Sequence, residues 1–123
     1  MQIEVSVGEI VDKLTILEIK KENIQDPTKL DNIVREYVYL SKIVFEDLGV
    51  SMLDYSPLKE VNKVLWDIED EIREKERAKV FDESFVDLAR KVYITNDARA
   101  ALKKEINIKY NSLFTEEKSY AKY

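Results

Sequence analysis

Apolar residues recur at steps of three and four along most of the chain, the spacing of helices with one face turned toward a core. Ile10, Leu14, Leu17 and Ile24 make such a face, while Val11, Ile16 and Ile19 spread apolar character around it, which predicts a central helix over about 7–24. Ser6 and Glu9 bracket its start as a capping box. Asp26-Pro27 then offers a cap and a proline at the first helical position. The stripe Leu30, Ile33, Tyr37, Leu40, Val44 and Leu48 follows, with Gly49 as its stop. A loop through Met52 and Tyr55 leads to another cap and proline, Ser56-Pro57, and to a third stripe of Leu58, Val61, Leu65, Ile68 and Ile72. Asp82 caps a fourth helix over about 83–110, with Asn111 as its stop. Ahead of all four, Ile3, Val5 and Val7 alternate with Gln2, Glu4 and Ser6, the pattern of a short strand. The expectation is all-α: an antiparallel four-helix bundle forming one domain over 1–123, with a short N-terminal strand. An ordered C-terminal tail carries Phe114, Tyr120 and Tyr123, and Lys118-Ser119-Tyr120 in it reads as a docking strap or a cover for the bundle's open end.

The fourth stripe breaks its own rule. Phe81, Phe85, Leu88, Val92, Thr95, Arg99, Leu102 and Ile106 share one face, yet Thr95 and Arg99 stand where Leu, Val or Ile is expected, with Asn96 and Asp97 beside them. A charge there needs a partner, from the protein or from a ligand. In an up-down bundle with a rise of about 1.5 Å per residue, Glu18 lies level with Arg99, Asp67 and Asp70 lie within about 4 Å of that level, and Asp12 lies level with Lys103. The structural reading pairs Arg99 with Glu18 or Asp70, pairs Asp12 with Lys103, and has Asn96 and Asn107 satisfy neighbouring polar groups. The alternative makes the same residues a pocket for a small anionic ligand. Arg99 and Lys103, one turn apart, suit a phosphate or carboxylate, and Tyr93 and Trp66 offer flat surfaces for a ring. Thr95, Asn96 and Asn107 add neutral hydrogen-bonding groups, with Asp12, Glu18, Asp70 and Asp97 around them.

Composition narrows the chemistry. Two Gly and two Pro in 123 residues favour long helices with short connections. Lys and Arg are interspersed among 25 acids for a net charge of −5, so no coherent basic face exists for nucleic acid. No basic amphipathic stretch or long apolar run points to a membrane. Met1-Gln2-Ile3-Glu4 does not start like a signal peptide, and a cytoplasmic location is expected. The absence of both His and Cys removes the common neutral-pH acid/base, thiolate nucleophiles and zinc sites of those ligands. Catalysis would then fall to carboxylates, Lys, Tyr or a hard cation.

Two carboxylate pairs, Glu9 with Asp12 and Asp67 with Asp70, each lie three apart. On facing helices such pairs can hold Mg²⁺ and position a water against a pyrophosphate. This resembles, loosely, the all-helical metal-dependent nucleotide pyrophosphohydrolases, although the two pairs together do not give that family's full set of Glu-x-x-Glu and Glu-x-x-Asp, since Asp67 and Asp70 make Asp-x-x-Asp. The competing explanation is a solvated face, with Asp67 and Glu71 beside Lys63 and Arg73. Apart from Mg²⁺ on that alternative, no cofactor is expected.

Several stretches together carry a closer resemblance. They are Ser6-Val7-Gly8-Glu9-Ile10-Val11-Asp12-Lys13-Leu14-Thr15-Ile16-Leu17-Glu18-Ile19-Lys20, Leu65-Trp66-Asp67-Ile68-Glu69-Asp70-Glu71-Ile72-Arg73, Asn96-Asp97-Ala98-Arg99-Ala100 with Ile106-Asn107, and Glu116-Glu117-Lys118-Ser119-Tyr120. They resemble a family of short bacterial and phage proteins of uncharacterised function, members of which are sometimes found near surface-polysaccharide assembly genes. The Gly8-Glu9 to Lys20 segment and the Asn96-Asp97 pair are also distantly similar to a second uncharacterised helical family. Neither resemblance implies a catalytic residue. The expectation is a binding or assembly protein, homodimeric, with a polar core around Arg99; the competing class is a Mg²⁺-dependent hydrolase of nucleotide or sugar-nucleotide pyrophosphates.

Overall fold

The computed structural model describes residues 1–114 and 116–119. They form four α-helices: α1 (Val7–Asn23), α2 (Pro27–Ser41), α3 (Met52–Ala78) and α4 (Glu83–Lys109). A π-helical segment, Lys42–Asp47, continues α2. None of these helices is long and apolar enough to cross a membrane. The expected N-terminal strand is absent among the described residues. Residues 1–6 carry no regular structure, and Ile3 and Val5 are exposed. Alternation alone cannot make a strand when no second edge is there to accept its backbone hydrogen bonds. Tyr120 and Tyr123 lie outside the described residues.

Most helix ends follow from local chemistry. Ser6 Oγ accepts from Glu9 N at 3.1 Å, and Asp26 accepts from Thr28 N and Lys29 N with Pro27 opening the helix behind it. Asp82 accepts from Phe85 N, while Gly49 (φ +66°) and Asn111 (φ 53°) take the left-handed conformation expected of helix stops. Two ends depart from the sequence expectation. Helix α3 starts at Met52 behind Ser51, not at Ser56-Pro57, so Pro57 sits inside the second turn. The carbonyl that Pro57 leaves without a helical donor belongs to Leu53, a residue 87% exposed, where the loss is tolerable. At the end of α2, the i→i+5 bonding around Ile43 and Leu48 widens the turn, so Leu48 rotates off the face that buries Leu40 and Val44.

Helix α1 is central, packing against α2, α3 and α4. Val11, Leu14 and Leu17 meet Leu40 and Val44 on one side and Tyr55, Leu58 and Ile106 on the other. Helices α3 and α4 form an antiparallel hairpin. Lys109 pairs with Asp54 at one end, and Lys75 approaches Asp82 at the other. Gly8 of α1 lies against α4 at Lys103 and Asn107, whereas Glu18 and Glu22 reach Tyr55 and Lys59 of α3. Both contacts sit toward the same end of the hairpin, so α1 crosses it slantwise, entering over α4 and leaving over α3. At 27 residues each, α3 and α4 run about 40 Å and outreach the 17-residue α1. Over 67–95 only Ile68 and Leu88 are buried.

The crossing depends on Gly8. Its N–H donates to Asn107 Oδ1 at 2.6 Å, and a Cβ there would stand 2.5 Å from the Lys103 carbonyl oxygen and 2.8 Å from Asn107 Oδ1. Backbone must move before any side chain fits. Gly8→Ala is expected to lower stability by about 1–2 kcal/mol, because overpacking outweighs the roughly 1 kcal/mol gain in helix propensity. Urea unfolding of the two proteins checks this.

Candidate functional site

Where α1, α3 and α4 meet, the core is polar. Asp12 (2% exposed) accepts from Arg99 Nε at 2.8 Å and from Asn62 Nδ2 at 2.9 Å on Oδ1, and its Oδ2 accepts from Arg99 Nη2. Asn62 Nδ2 also donates to Thr15 Oγ1 at 2.7 Å, and Thr15 passes its own hydrogen to the Asp12 carbonyl. Both carboxylate oxygens of Asp12 are therefore engaged, the condition for burying a carboxylate at all. Burial alone would push the Asp12 carboxyl up. Hydrogen bonds from Arg99 and Asn62, together with the Arg99 charge, outweigh that and hold it below the ordinary carboxylate value of 3.8. The same bonds raise Arg99. Asn62 was open to detection in the sequence: it lies four residues after Leu58, on a face otherwise apolar.

Two further networks flank the crossing. Buried Lys103 reaches Glu9 at 2.8 Å and Glu116 at 3.3 Å; burial works to lower its pKa, but these carboxylates and Asp12 raise it overall. Glu9 thus spends its carboxylate on α4 and does not close the capping box. On the other edge Glu18 accepts from Tyr55 and pairs with Lys59 at 2.9 Å, and Lys59 also holds Glu22 at 2.8 Å. Burial, then the Glu18 contact, drives the Tyr55 hydroxyl well above its usual value. The pairing differs from the one that helix heights suggest. Arg99 takes Asp12 and not Glu18 or Asp70, and Lys103 takes Glu9 and not Asp12. The physical reason is Gly8, whose close approach seats the first turn of α1 beside Lys103–Asn107 and slips α1 along α4 by one to two turns.

Two clefts open beside Arg99. One, of about 430 Å³, lies in the angle between α1 and the outer hairpin and is lined by Ile16, Ile19, Trp66, Asp70 and Arg73 among others. The other, of about 300 Å³, is lined by Glu9, Lys103, Glu116 and Lys118. Asn96 and Arg99 belong to both. The crossing and its clefts thus bring together Asp12, Trp66, Asp70, Asn96, Arg99 and Lys103. Asn107 is buried beside them but serves Gly8, and Glu18 faces α3 on the far edge. Half-buried Asp97 and Tyr93 (45% exposed) are not among the lining residues of either cleft.

The carboxylates of the Mg²⁺ alternative do not converge. Asp12 is committed to Arg99 and Asn62, Glu9 to Lys103, and exposed Asp67 to Lys63 at 3.2 Å. Among the described residues no three carboxylates lie close enough to share an ion.

One family model, described as a family of unknown function (DUF6165), matches residues 1–123. No curated protein matches the chain, and neither does any solved structure.

The lowered Asp12 carboxyl fixes the sign of a pH effect. Its contribution to stability is complete above the unfolded value, near pH 4, and is lost as pH falls through the folded value. Asp12→Asn is expected to cost about 2–4 kcal/mol at neutral pH, toward the lower end because Arg99, with 29% of its side chain exposed, can still reach water. The variant should also lose less stability than the parent on acidification below about pH 4. Urea unfolding across that range is the measurement; identical acid limbs in the two proteins would contradict the pairing.

Proposed function

We propose that the chain, which belongs to that family of unknown function, is a binding protein that holds a small anionic ligand in the groove over Arg99. One observation carries the reading: Asn96 and Arg99 line both clefts, joining an aromatic and apolar half at Trp66 to a cationic half at Lys103. Asp12 takes Nε and Nη2 of Arg99, which orients the guanidinium and leaves its Nη1 edge to donate to a ligand oxygen. The carboxylate therefore acts as a bracket for the arginine. Along α4 the seven steps from Asn96 to Lys103 span about 10 Å. That length suits a flat ring on Trp66 whose phosphate or carboxylate extends toward Lys103, as in a nucleoside diphosphate, a sugar nucleotide or, with a smaller ring, a phosphosugar.

Calorimetric titration with these three classes tests the reading. At least one is expected to bind. Arg99→Lys, which keeps the charge and loses the fork, should weaken binding about tenfold, and Trp66→Leu about fivefold, with both variants folded by circular dichroism. If none of the three classes binds, or if both variants bind as the parent does, the groove is not a ligand site.

A further inference from the structure

Lys103 is a buried lysine, 8% exposed, with two carboxylates on its ammonium. Glu9 belongs to the helix that covers it. Glu116 comes from the C-terminal segment and is the looser partner, at 3.3 Å against 2.8 Å, with 54% of its side chain exposed. The path of that segment is informative. Ser112 is tied down, its Oγ accepting from Val7 N at 2.8 Å. Beyond it Leu113 and Phe114 are 74% and 57% exposed, residues 116–119 carry no regular structure, and Glu117 reaches Lys104 at 3.3 Å. Among its described residues, 116–119 are all exposed and gain little from apolar burial. The exposed Glu117–Lys104 pair contributes only about 0.2–1 kcal/mol.

We infer that residues 116–119 are a displaceable strap over the anion subsite, with the Glu116 carboxylate occupying at Lys103 the place of a ligand phosphate. The inference rests on the binding reading above and adds to it a competitor built into the chain. A buried ammonium has three donors and cannot be left underfilled, so whatever releases Glu116 must itself be an anion. A phosphate group brings more charge and more acceptor oxygens than the single carboxylate it replaces, and Arg99 stands in the same cleft to share it. The exchange favours phosphate over carboxylate ligands and sets a threshold concentration below which the strap stays down.

The experiment is calorimetric titration of inorganic pyrophosphate into the full-length chain, Glu116→Gln and Glu60→Gln. Glu60 is exposed on α3, and its substitution makes the same change in net charge. Removing one competing pair should tighten pyrophosphate binding about two- to fivefold in Glu116→Gln, with Glu60→Gln binding as the parent does. Equal affinity in Glu116→Gln and the parent overturns the strap and leaves the groove reading standing. An equal gain in Glu60→Gln overturns it too, because the cause is then net charge. No binding by any of the three overturns the strap together with the anion subsite on which both readings rest.

Discussion

The pairing of Asp12 with Arg99, closed by Asn62, is the constraint around which the helices are arranged. A carboxylate 2% exposed has no access to water, so α4 must bring its guanidinium and α3 its amide to the same point on α1. The net stabilisation from such a buried pair is small, because desolvation consumes most of the attraction. The cost of a mismatch is large. A helix slipped by one turn would separate the buried Asp12 carboxylate from both Arg99 and Asn62. The pair therefore acts on the choice of arrangement more than on its depth. Gly8 and Asn107 provide a second fixed point, one turn back along α1 and about two turns on along α4, and Glu18, Glu22 and Lys59 a third on α3.

These three points together account for the slant of α1, and the slant accounts for the groove. A helix that enters over α4 and leaves over the start of α3 cannot also cover the outer half of the hairpin. The angle it leaves is where Trp66 and Arg73 face Ile16 and Ile19. The groove thus arises as a by-product of helix crossing, with no loop inserted to build it. The polar residues that fix the crossing are also those at the groove's floor, so packing and the proposed recognition draw on one set of side chains.

Much of this was legible in the sequence, for identifiable reasons. The caps at Ser6, Asp26 and Asp82 and the stops at Gly49 and Asn111 depend on local hydrogen bonds and backbone freedom, which neighbouring residues determine. Arg99 was conspicuous because one charge interrupts an otherwise apolar face. Partner identity was not legible. Helix heights assume parallel axes, and the close contact at Gly8, with the crossing angle that accompanies it, shifts the partner of Lys103 by about one turn of α1 and that of Arg99 by nearly two. Ser56-Pro57 misled because proline tolerates an early helical position as well as the first. Residues 1–7 misled because alternation specifies a strand only if another strand is present to pair with it.

The unequal lengths of the helices divide the molecule mechanically. The body is three layers thick, whereas the outer arm of the hairpin is two helices in which only Ile68 and Leu88 are buried. Amides in such an arm exchange through openings that cost less than global unfolding. Trp66, Asp70 and Arg73 stand at the junction between the two regimes. One wall of the groove is thus anchored in the rigid body and the other belongs to a compliant lever, so the width of the groove is set by how far that lever is allowed to bend.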